Sequence, residues 1–136
     1  MARFEVTGIE GLQERIARRE AAATAAIPKM LKAGGAVLVK AQQEEIRRTF
    51  TGDRSTGDLA NSIKQTAVKK KGDTQCVEVY PHGTNRRGQP NATVGFVHQY
   101  GRTNMPARPW FTSSNTKAAP EVQEAMRQAW EEQQND

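Results

Sequence analysis

Apolar residues fall along this chain in two long stretches of helical spacing with a short alternating stretch between them. Leu12, Ile16, Ala23, Ile27, Leu31, Val37, Leu38, Ala41 and Ile46 recur mostly every three or four residues, which predicts one long helical region ending near Phe50. Thr7-Gly8-Ile9-Glu10 has the capping-box pattern that satisfies the free N–H groups of a helix start. Pro28 removes a backbone donor inside the stripe, so a kink or break is expected there. Gly34-Gly35 weakens the helix or lets another element approach closely. Near the C-terminus Val122, Met126 and Trp130 repeat every four residues and predict a second helix, with Pro109 a permissible first residue.

Between the helices the period changes. Arg3 to Thr7 alternates as a short strand would. Ser55-Thr56-Gly57-Asp58 is a second capping-box pattern, and Leu59 and Ile63 behind it read as a short helix running into a strand. Residues 64–80 predict a hairpin: one arm from Gln65 to Lys70, a turn at Lys71-Gly72-Asp73, and a second arm from Thr74 to Tyr80. Val77 and Val79 should share one face of that arm, with Cys76, Glu78 and Tyr80 on the other. Residues 81–91, with two prolines, two glycines and two asparagines, predict a mobile basic loop. Phe96, Val97 and Tyr100 fit a helical turn or a strand equally well. The expected fold is α+β in a single domain over 1–136, with the N-terminal and C-terminal helices packed on a small antiparallel sheet that contains the 64–80 hairpin. Residues 131–136 are expected to fray.

Composition narrows the picture. Val, Ile, Leu and Phe together number 22 of 136 residues while alanine alone contributes 18, so the chain can build only a thin core, and partner surfaces become a plausible source of further stability. No apolar run reaches the length of about 20 residues that a membrane helix requires, and the opening MARFEVTGIEG lacks the apolar stretch of a secretory signal. A soluble protein made in the cytoplasm is expected. Cys76 is the single cysteine, which excludes an internal disulfide and a cysteine-based zinc cage. Neither His82 nor His98 has a second ligand at helical spacing, and the Asp53/Asp58 pair has nothing to make it an acid–base couple. No catalytic residue, metal or cofactor is therefore expected, and the chain reads as a non-enzyme.

Charge is uneven. Residues 47–108 hold 11 Lys/Arg against 4 Asp/Glu, whereas residues 109–136 hold 2 against 5. Lys69, Lys70 and Lys71 at the hairpin turn and Arg86 and Arg87 in the loop are the candidate partner-facing or DNA-facing groups. Clusters of this kind neutralise phosphates, although lysines at a strand edge also prevent aggregation, and no aromatic residue interleaves with the lysine run to stack bases. A basic nucleic-acid-binding accessory protein is the alternative function. Five of the eight aromatic residues fall between 80 and 111. Within that segment Tyr100, Arg108, Trp110 and Phe111 are the candidate interface or anchor residues, either as core anchors or as rings that fill a pocket on a neighbouring subunit.

Taken in order, Gly-Ile-Glu-Gly-Leu, the alanine-rich helix, Ser-Thr-Gly-Asp-Leu-Ala-Asn-Ser-Ile, the basic hairpin, His-Gln-Tyr-Gly and Pro-Ala-Arg-Pro-Trp-Phe resemble a known pattern. It is that of the gene-product-ten-like head–tail joining family of small tail components of long-tailed bacteriophages. The chain is also similar to the related virion-morphogenesis, or tail-completion, proteins. The most specific parts are Thr56, Gly57, Leu59, Ser62 and Ile63, and then Tyr100, Gly101, Pro106, Ala107, Arg108, Pro109 and Trp110. The resemblance implies a structural virion protein that assembles as a homo-oligomeric ring, a hexamer, at the head–tail joint or neck. Its partners would be the phage connector or head-completion proteins and the tail tube or tail terminator, with non-specific contact to DNA in the channel and no membrane.

Overall fold

The computed structural model describes residues 2–6, 20–52, 56–72 and 74–135, with side chains described from residue 24 to 133 within those ranges. The Thr7–Glu10 capping box, Leu12, Ile16, Ser55 and Asp73 lie outside the described residues. Strand β1 (Ala2–Val6) precedes the long helix α1 (Glu20–Thr49), the one-turn helix α2 (Asp58–Asn61), and strands β2 (Ile63–Gln65), β3 (Lys69–Lys71) and β4 (Thr74–Pro81). Two helices follow, α3 (Asn91–Tyr100) and α4 (Trp110–Asn135). The architecture is α+β, with the two long helices laid on a small antiparallel sheet.

Strand β4 is the centre of the sheet. β1 pairs along one edge of it from Ala2↔Val79 to Val6↔Gln75. β2 and β3 share the other edge, at Ile63↔Pro81 to Gln65↔Val79 and at Lys69↔Cys76 to Lys71↔Thr74. The expected hairpin is therefore present, with its first arm in two pieces. Thr66 to Val68 place three residues opposite Val77 and Glu78, so the arm carries one extra residue, a β-bulge. Thr66 spans it: its N–H donates to the Glu78 carbonyl at 2.8 Å, and its hydroxyl accepts from the Glu78 N–H at 3.0 Å.

Helix α1 runs unbroken through Pro28, so the break considered at that position does not occur. It packs antiparallel to α4 over most of its length, from Lys29 Nζ donating to Gln133 at one end to Gln42 donating to Asn115 near the other. Small residues make the close approach: a Cβ at Gly34 would lie 3.0 Å from Met126 Cγ, and one at Gly35 would lie 2.3 Å from Gln65 Oε1. The small-residue stretch of α1 is thus used inside the subunit. Helix α4 continues through Asn135 and tolerates Pro120 within it.

The core divides in two. Leu38, Ile46, Ala60, Ile63, Val79, Trp110, Ala118 and Val122 form the larger cluster, and Ile27, Leu31 and Val77 a smaller one nearer the hairpin. Val77 and Val79 share the helix-facing side of β4 as alternation requires, yet Cys76 is also fully buried. It behaves as a small packed residue and is a free thiol.

Candidate functional site

The segment from 91 to 111 resolves the ambiguity at Phe96–Tyr100 in favour of a helix. That helix stops because Gly101 adopts φ 77°, where a Cβ would meet the Ala107 nitrogen and the Met105 oxygen at 2.7 Å. The chain then runs through Arg102 and Met105, which pair with each other, to Pro109, the residue before α4. A proline at this boundary cannot cap a helix with its side chain. Gln99 of α3 performs that task instead. Its Oε1 accepts from the Phe111 and Thr112 amides at 2.9 and 3.3 Å, and its Nε2 donates to the Thr112 hydroxyl at 3.1 Å. One buried amide thereby fixes the angle between α3 and α4.

The four candidate anchor residues separate into three environments. Trp110 is 2% exposed, and its Nε1 donates to the Gly95 carbonyl at 3.0 Å. Gly95 is small for this reason: a Cβ there would lie 2.9 Å from Trp110 Cζ2. Phe111 stands edge-on to Trp110 with centroids 5.2 Å apart and is half-buried against the larger core. Arg108 lies instead on the surface, its guanidinium 5.5 Å from the centre of the Phe50 ring, with His98 against the same ring at 4.6 Å. Tyr100 points elsewhere. It is 62% exposed and packs on Phe96, itself 64% exposed, with ring centroids 4.8 Å apart. Phe96 was not among the candidates, although its four-residue spacing from Tyr100 on a helix would have paired them.

The basic candidates also divide. Lys69, Lys70 and Lys71 form strand β3 and are exposed throughout; Lys69 comes within 3.8 Å of Glu78, while no ion pair is made by Lys70 or Lys71 among the described residues. Arg86 and Arg87 sit beyond the opposite end of β4. Eight residues of strand therefore separate the two groups, about 25 Å at roughly 3.3 Å per residue. Arg86 is already engaged: its Nε and Nη2 donate to the two oxygens of Asp58 at 3.0 and 2.8 Å, and its amide to Oδ2 at 3.2 Å. These bonds hold the Asp58 carboxyl down to about 2. Asp58 is thus drawn toward the loop, while the start of α2 is formed by Gly57 and by the Thr56 hydroxyl accepting from the Asp58 amide at 3.3 Å. Asp58, the acidic member of the expected capping box, thus serves as a latch to the loop. Within the loop the Asn85 side chain accepts from the Arg87 and Gln89 amides, and Thr84 pairs with Pro90.

Loop, α2, α3 and the end of α1 together enclose an open cleft of about 650 Å³. Arg47, Arg86, Arg87 and Arg108 stand at its edge, His98 beside them, and Ile46, Phe50, Leu59 and Val94 form its apolar floor. Burial, with Arg108 and then Arg102 nearby, pushes the His98 imidazole below its ordinary value. Asp58 is the one carboxylate among the described lining residues. Among the described residues no group of three or more His, Cys, Asp or Glu could hold a metal ion, and no described helix is long and apolar enough to cross a membrane.

The family model described as "Bacteriophage HK97-gp10, putative tail-component" matches residues 10–96. That stretch includes α1, the latch residue Asp58, the hairpin and Arg86, and it ends at Phe96, before Tyr100 and the Pro-Ala-Arg-Pro-Trp segment. No curated protein and no solved structure matches.

Proposed function

The chain belongs to the HK97-gp10-like family of bacteriophage tail components, and on that premise we propose that it is a non-enzymatic structural protein of the tailed-phage virion. It assembles as a closed ring of about six copies at the head–tail joint, where it connects the capsid connector or head-completion proteins to the tail tube or tail terminator. The observation that supports a role in assembly is the Phe96–Tyr100 pair. A chain with so few large apolar residues leaves two aromatic rings side by side on its surface, more than 60% exposed, one turn apart on a helix held rigid from below by Trp110. Large rings on a rigid base are typical anchors of protein–protein contacts.

The hairpin tip supports a second, compatible contact. Three consecutive exposed lysines on β3 suit a partner ring or non-specific attraction to DNA passing through the channel. A phage lacking this gene tests the main reading. Finished heads beside unattached tails are expected in its lysates, and normal virions would contradict the proposal. A purified protein whose main activity was salt-dependent DNA binding, in a phage that still joined heads to tails, would favour the nucleic-acid accessory role instead.

A further inference from the structure

A basic cleft lies at one end of the subunit, and two exposed carboxylates stand on the last part of α4, far from it. At one end is the cleft, where Arg47 donates to the neutral Asn61, Arg108 lies on Phe50, and Arg86 is matched by Asp58. Arg47, Arg87 and Arg108 make no ion pair with a carboxylate among the described residues. A concave site with an apolar floor and unmatched guanidinium groups focuses a positive field and favours an anionic occupant. At the other end is the last part of α4, where half-buried Trp130 is followed by exposed Glu131 and Glu132. Glu131 is bridged by Arg127 on the same exposed helix face, a contact of small and exchangeable strength. Glu132 has no ion pair among the described residues.

These two features cannot meet within one subunit. The end of α4 is fixed beside Lys29, while the cleft begins at Ile46, seventeen residues further along α1. That is about 25 Å along a straight helix. We propose that the cleft receives the acidic C-terminal end of α4 from a second copy of the chain. Such a contact joins two different surfaces, so it is heterologous and repeats around a ring or along a filament. Carboxylates would meet the guanidinium edge, and Trp130 would reach the floor formed by Ile46, Phe50, Leu59 and Val94. Duplex DNA is the poorer occupant, since the phosphates of a convex cylinder would touch the edge and leave that floor empty.

The inference rests on the reading of the chain as a ring subunit, and the test separates the two. Full-length R87E/R108E, E131K/E132K and the combined quadruple variant would be checked for folding by circular dichroism and used to complement the gene-deleted phage. Sedimentation of the same proteins gives a second readout. Each charge-reversed pair should weaken self-association by about 10-fold or more and fail to yield joined particles, and the quadruple variant should recover both. Normal joining and association by both pairs would overturn the contact while leaving the joint intact. Failure of the quadruple variant to recover while folded would overturn it too. Loss of DNA binding by R87E/R108E with association unchanged would assign the cleft to nucleic acid and also overturn it. If the deletion phage itself joined heads to tails, the joint reading would fall instead.

Discussion

Trp110 and the Phe96–Tyr100 pair meet the same ten-residue helix and differ in almost everything else. Trp110 is sealed beneath α3, hydrogen-bonded to Gly95 and surrounded by the larger core. Phe96 and Tyr100 lie one residue further round the helix from Gly95 and Gln99 and face solvent. One aromatic segment of sequence therefore faces two ways, building the subunit on one side and leaving apolar area exposed on the other. The difference is set by the helical rotation of about 100° per residue, which no count of aromatic residues along the chain contains.

The comparison breaks most visibly at its buried side. Trp110→Ala should cost about 3–5 kcal/mol, a large share of the stability of a thin core, and thermal unfolding by circular dichroism should show a chain that is unfolded or melts far earlier. Gly95→Ala attacks the same contact more gently. Its new methyl would lie 2.9 Å from the Trp110 ring, and a loss of about 1–3 kcal/mol is expected from overpacking, measurable by urea denaturation. On the exposed side, Phe96→Ser with Tyr100→Ser should change stability by no more than about 0.5 kcal/mol while reducing incorporation into particles. A loss of stability as large as that of Trp110→Ala would show that the exposed pair belongs to the subunit's own core.

The two basic regions repeat the contrast on a smaller scale. Arg86 is spent on Asp58, whereas Lys70 is exposed and makes no ion pair among the described residues. Arg86→Ala should speed amide hydrogen exchange across residues 82–90, and Lys70→Ala should leave it unchanged. The latch also has a pH signature. The Asp58 carboxyl is lowered from 3.8 to about 2, so its contribution is complete above the ordinary carboxylate range and is lost only as pH falls through about 2. Following the Asp58 side-chain carbon by NMR should show it ionised at pH 3.5, and the Arg86→Ala variant should bring its titration back toward the ordinary value.

Much of this was legible in the residues. Three- and four-residue spacing located both long helices, and alternation located β4, because each period maps directly onto one buried face. The end of α1 at Thr49 and the short helix before β2 follow from Thr51-Gly52 and from the turn residues ahead of Leu59. The bulge at Thr66–Val68 was not legible, since an extra residue in a strand leaves the local pattern of side chains nearly intact. Long-range pairings were equally hidden. Asp58 reads as a capping residue until Arg86, 28 residues away, is brought to it, and nothing local marks Gln99 as the cap of a helix that begins eleven residues later. Tyr100, Arg108, Trp110 and Phe111 stand out in the sequence, but their division into core, cleft and surface depends on the fold.

The most direct test of the central claim is the position of the protein in the assembled particle. Cryo-electron microscopy of virions carrying an antibody-labelled copy should place the label in a ring where head meets tail. Label distributed over the capsid shell, or mature particles that contain none of the protein, would contradict the proposed role at the joint.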